Sequence, residues 1–68
     1  MTGIVEMFND EKGYGFIRNY EDQVFFVHYS SIRTHNDFYR TLNVGDKVRF
    51  ERKQGERGLY ARNVRILN

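Results

Sequence analysis

The chain has no cysteine, no proline and no tryptophan. Without cysteine it has neither a disulfide framework nor a thiolate metal site, and two histidines are too few to hold a structural zinc. No metal or other cofactor is expected, and stability must come from apolar packing. That packing is thin, because a domain this small buries only about 60% of the surface its unfolded chain exposes. No segment approaches the ~20 apolar residues that cross a bilayer. The opening Met-Thr-Gly-Ile-Val-Glu has neither the basic stretch nor the apolar run of a secretion signal. A soluble cytoplasmic protein with no membrane partner is the expectation, and the missing cysteines suit a reducing compartment. There is no internal repeat and no low-complexity linker, so residues 1–68 read as one domain.

Net charge is also small. Eleven Lys and Arg against nine Asp and Glu leave a formal net charge of +2, compatible with a nucleic-acid partner but common among ordinary proteins. Aromatic residues are what the chain has in quantity: six Phe and five Tyr, 16% of the total.

The hydrophobic pattern repeats every two residues, the period of a strand. Thr2–Asn9, Tyr14–Asn19, Gln23–Tyr29, Lys47–Lys53 and Leu59–Ile66 read as five strands. Asp10-Glu11-Lys12-Gly13 reads as a turn, Tyr20-Glu21-Asp22 as a tight connection, and 54–58 as a hairpin loop. Residues 30–42 read as a short helical turn at Ser30-Ser31-Ile32 followed by a long loop, a kind that is usually functional. The apolar parity of the fifth strand changes between Ala61 and Val64, which predicts a bulge near Arg62-Asn63. Five short strands favour a small antiparallel barrel, an all-β fold that removes most exposed sheet edges.

Alternation sorts the second and third strands into two faces. Gly15, Ile17, Phe25 and Val27 fall on one; Tyr14, Phe16, Phe26 and His28 fall on the other. A barrel has one interior, and Ile17, Val27, Phe25, Val5, Ile32, Val48 and Val64 suffice to fill it. Tyr14, Phe16, Phe26 and His28 are left outside, although burial of each ring would contribute roughly 1.5–3 kcal/mol. A contiguous exposed patch of this kind marks a binding surface. Lys12 lies beside it, with Arg18 and Arg57 bordering, and Tyr29 and Tyr39 stand near the ends of the long loop. Rings interleaved with cations suit single-stranded RNA or DNA: bases stack on the rings and cations neutralise phosphates. Arg33, Arg40, Arg49, Arg52, Lys53, Arg62 and Arg65 read as a solvated surface that helps steering.

Lys12-Gly13-Tyr14-Gly15-Phe16-Ile17 and Phe26-Val27-His28-Tyr29-Ser30 resemble the two ribonucleoprotein motifs of the bacterial cold-shock protein family. The flanks agree in order along essentially the whole chain, from Gly3-x-Val5 and Phe8-Asn9-x-x-Lys12 to Gly55-x-x-Gly58-x-x-Ala61-x-Asn63-Val64. The resemblance implies a five-stranded oligonucleotide-binding (OB-fold) barrel that holds single strands and discourages RNA secondary structure, as an RNA chaperone or a regulator of transcription or translation. Its stacking positions correspond to Phe8, Tyr14, Phe16, Phe26, His28, Tyr29 and Tyr39, with Phe38 competing for the last. Met7, Asn9, Lys12, Arg57 and Tyr60 complete the candidate nucleic-acid-binding set.

The chain also departs from the family pattern. Met7 stands where a Trp is usual, Ile4 and Glu6 where lysines are common, Val24 where an Asp is usual, and Leu59-Tyr60 in place of a common Pro-Gln. Weaker or differently tuned binding is expected, with Tyr60 as a new ring. Two other classes compete. His28 and Ser30 suggest a nucleophile–base pair, but no acid is placed to orient the histidine and no nucleophile elbow or phosphate loop is present, so catalysis is not expected. A peptide-binding module using the same aromatic face is the alternative. Salt separates the two, since nucleic-acid binding weakens steeply with salt. The protein is expected to be a monomer or a weak, strand-exchanged dimer.

Overall fold

The computed structural model describes residues 1–33 and 40–67. Five strands, β1 (Thr2–Asn9), β2 (Tyr14–Asn19), β3 (Val24–His28), β4 (Lys47–Gly55) and β5 (Gly58–Ile66), close into a barrel in the order β1-β2-β3-β5-β4. The seams β1–β2, β2–β3, β1–β4 and β4–β5 are antiparallel, and β3–β5 is parallel. Strand directions cannot alternate around a closed ring of five, so one seam of the expected antiparallel barrel must be parallel.

The interior follows from alternation. Val5, Ile17, Phe25, Val27, Ile32, Val48 and Val64 are at most 1% exposed, joined by Leu42, Phe50 and Ala61. The rings of Phe25 and Phe50 meet at 5.0 Å and 60°, the edge-to-face arrangement that aromatic quadrupoles favour. Among the described residues no helix is long and apolar enough to cross a membrane.

Some element ends differ from the sequence reading. The third strand is trimmed at both ends: Gln23 belongs to the turn held by Asn19, and the helical turn begins one residue early, as a 3₁₀ turn at Tyr29–Ser31. Its N-cap is His28, whose side chain accepts from the Ser30 amide. The β4–β5 ladder runs on to Gly55 opposite Gly58, so the expected five-residue loop shrinks to Glu56-Arg57, with Gly58 supplying a positive φ of 121°. Between β2 and β3, buried Asn19 holds the turn through Oδ1, which accepts from the amides of Glu21 (3.0 Å) and Gln23 (2.8 Å).

Two irregularities shape the barrel. The bulge expected near Arg62-Asn63 is present: β5 carries one extra residue between its pairings to Arg49 and Glu51, and Asn63 sits at φ 52°. A second bulge, in β1, was not anticipated. Val5 pairs with Ile17 and Met7 with Phe16, leaving Glu6 as the extra residue. Gly15 permits it. A Cβ there would run into the Met7 carbonyl oxygen and fall 2.7 Å from the Cα of Phe8.

Candidate functional site

Because Ile17, Phe25 and Val27 fill the interior, their neighbours on β2 and β3 are forced outward. Register pairs Tyr14 with His28 and Phe16 with Phe26, so four ring systems share one outer surface. Tyr14 and Phe26 stack at 5.7 Å with 26° between planes; Phe16 meets Phe26 at 6.1 Å and 70°, and Tyr14 at 6.3 Å and 87°. Each ring thus holds its neighbours in place, and Phe26 still stands 39% exposed.

The β1 bulge decides what joins this face. Strict alternation from Val5 would turn Met7 inward and Phe8 outward; the extra residue reverses both. Met7 therefore stands outside beside Phe16, exposed. Phe8, opposite Gly15, is partly buried and packs against the core. Asn9 lies opposite Tyr14, but its Oδ1 accepts from the Lys12 amide at 3.0 Å. It thereby shapes the turn that presents exposed Lys12.

A second aromatic pair extends the surface over that turn. Tyr29 donates its amide to the Gly13 carbonyl at 2.9 Å. Its exposed ring lies where a side chain at Gly13 would be, Cδ1 being 2.7 Å from a Cβ built there. His28 lies 4.5 Å from the Tyr29 ring, and its Nδ1 is engaged by the Ser30 hydroxyl at 2.8 Å. The imidazole is thereby held in one orientation with Nε2 unengaged by that bond.

Across the parallel seam, Phe26 is in register with Tyr60. Between them and the β4–β5 turn lies a groove of about 660 Å³ lined by Phe16, Phe26, His28 and Ser31 on one side and residues 55–61 on the other. The half-buried Tyr60 ring rests over Gly55, where a Cβ would approach its Cε1 to 3.2 Å. Arg57 borders the groove, with Glu56 beside it. Ser31, Leu59 and Glu56 were not among the candidate binding residues read from the sequence, since only the parallel seam brings β5 beside β3.

The electrostatics are uneven. Arg18, on the same side of β2 as Tyr14 and Phe16, donates from Nε and Nη2 to the Glu6 carboxylate, reaches the Asp22 carbonyl at 3.3 Å and lies 3.9 Å from its carboxylate. Hydrogen bonding to Glu6, reinforced by its charge, raises the Arg18 pKa further above its ordinary value. The cation expected to border the face is thus already paired. Lys12 and Arg57 have no ion-pair partner among the described residues. Tyr39 and its competitor Phe38 lie outside the described residues.

Comparison with known proteins agrees with this geometry. The family model described as 'Cold-shock' DNA-binding domain matches residues 1–67. The chain is 52% identical over 65 residues to the cold shock-like protein CspG of Shewanella violacea, covering 93% of this chain and 89% of that protein. It is 47% identical over 64 residues to the major cold shock protein CspA of Bacillus cereus (94% and 92% covered). To the cold shock-like protein CspB of Escherichia coli it is 48% identical over 67 residues (97% and 92%). Among solved structures, Drosophila Unr CSD456 aligns with 98% of the chain at a TM-score of 0.75 and 26% identity; the match spans 26% of that longer chain.

Proposed function

This chain belongs to the cold-shock domain family, whose barrels bind nucleic acid, and on that premise we propose that it holds single-stranded RNA or DNA by base stacking. The observation that carries the reading is the interlocked cluster of Tyr14, Phe16 and Phe26, kept outside a barrel whose interior is already full, with Phe26 exposed and the other two rings half-buried. Met7, His28, Tyr29 and Tyr60 extend the stacking surface, and Lys12 and Arg57 meet phosphates at its edges. Stacking is sequence-tolerant because every base has a π face, so selectivity is low and unstructured strands are preferred. Holding bases on rings keeps them from pairing with one another. The corresponding role is RNA chaperoning, or modulation of transcription or translation.

The test is titration of a single-stranded oligonucleotide against wild type and a Phe16→Ala/Phe26→Ala double variant. Each base–aromatic stack contributes about 1–3 kcal/mol, so the variant should lose at least ten-fold in affinity while keeping its fold. Unchanged affinity would sink the stacking model. Affinity that barely responds to salt would point instead to an apolar peptide groove.

A further inference from the structure

Three of the cations read from the sequence as a solvated surface, Arg49, Arg62 and Arg65, are brought close together by the β4–β5 register, and Lys47 lies beside them on β4. Register sets Arg49 directly opposite Arg65, and opposed like charges destabilise an antiparallel pair. Neutral Thr2 flanks Arg49 on β1. Lys47 precedes Arg49 on β4 and Arg62 precedes Arg65 on β5, and all four cations are exposed. None of the four has an ion-pair partner among the described residues. The acid within the patch, Glu51, lies opposite Arg62, but its carboxylate accepts from Asn63 at 2.6 Å and faces Lys53 at 3.9 Å. Arg49 and Arg65 line a common pocket of about 400 Å³.

Among the described residues this side carries none of the stacked rings of the aromatic face, so it suits phosphates rather than bases. It is also continuous with that face. β5 carries Tyr60 in the aromatic groove and Arg62 and Arg65 beyond it, and five residues of strand place Arg65 about 17 Å past Tyr60.

We propose that Lys47, Arg49, Arg62 and Arg65 form a second nucleic-acid contact, taking the phosphodiester backbone of segments that extend past the aromatic face. The proposal deepens the nucleic-acid reading above but uses different residues, so the two can fail separately. The backbone contacted is either the bound strand's own continuation or that of a duplex.

The experiment measures affinity and its salt dependence for wild type and Arg49→Gln/Arg65→Gln. Three ligands are used: a single strand of about six nucleotides and one of about twenty, bracketing the site sizes of oligonucleotide-binding barrels, and a hairpin duplex. The variant should bind the short strand as wild type does. It should bind the long strand several-fold more weakly, with a slope of log K against log salt shallower by about 1.4, two contacts at roughly 0.7 each. Loss confined to the long strand identifies that strand's own backbone; loss on the hairpin identifies a duplex. A second variant, Arg49→Glu, replaces the like-charge pair with an opposite one. It should raise the melting temperature and weaken long-ligand binding, a pairing of signs that an idle surface would not give.

Unchanged affinity and slope on all three ligands would overturn the proposal. So would a variant that loses only its affinity for phosphatidylglycerol vesicles. Failure of wild type to bind the short strand would count against the aromatic face, while the hairpin still tests the cations.

Discussion

Glu6, the extra residue of the β1 bulge, holds Arg18 of β2 through both carboxylate oxygens. Arg18 stands on the aromatic side of the sheet, yet its charge is spent within the protein. Glu6 takes up the guanidinium edge that would otherwise be open to a phosphate. Glu6→Gln should therefore free one cation for the ligand, tightening single-strand binding and steepening its salt slope by about 0.7. Arg18→Gln in the wild-type background should leave the slope nearly unchanged. Titrations at several salt concentrations check both, and a Glu6→Gln protein with the wild-type slope would mean that Arg18 lies off the ligand's path.

Met7 is in register with Phe16 and exposed on the outer surface. Its thioether fills space against a base but offers no extended π face. Met7→Trp should strengthen single-strand binding by about 1 kcal/mol, roughly five-fold, the lower end of what a base–aromatic stack contributes. Fluorescence titration is direct, since the new residue would be the chain's first tryptophan and a stacked base should quench it.

Gly15→Ala tests the close approach at the β1 bulge. The new methyl would meet backbone atoms of Met7 and Phe8, which cannot rotate away as a side chain can. Overpacking of this kind costs about 1–3 kcal/mol, and in a domain this small each kcal/mol moves the melting temperature by roughly 4–8 °C. A clear drop in thermal stability is expected. Oligonucleotide affinity should fall with it even at temperatures where the protein stays folded, because displacing β1 moves Met7 away from Phe16.

Asn63 combines a left-handed backbone, φ 52°, with two side-chain hydrogen bonds: Oδ1 accepts from Arg33 Nε at 3.0 Å, and Nδ2 donates to Glu51 at 2.6 Å. Asn63→Gly keeps the backbone free and loses only the bonds, costing about 1 kcal/mol for partly exposed partners. Asn63→Ala should cost about 1–2 kcal/mol more, because Cβ clashes in the left-handed region. Urea unfolding of the two variants separates the terms; equal midpoints would show that the bulge relaxes to another conformation.

The β1 bulge and the β5 bulge show what could be read in advance. The β5 bulge was legible because the apolar parity changes within one strand, between Ala61 and Val64. The β1 bulge left no such trace: Glu6, Met7 and Phe8 are compatible with either phase, and the deciding partner, Gly15, lies on another strand. The family resemblance marked Phe8 for stacking, and the bulge sets it against the core with part of its surface still exposed.

Period-two alternation, with the volume limit of a single small interior, was enough to separate the buried residues from Tyr14, Phe16, Phe26 and His28. Both constraints are local or compositional, so they are complete before any strand finds its partner. Glu6 against Arg18, Phe26 beside Tyr60 and Arg49 opposite Arg65 depend instead on register between strands, which is set when the barrel closes. Closure forces one parallel seam and brings together side chains as far apart in the chain as Phe26 and Tyr60, which no periodicity along a single strand encodes.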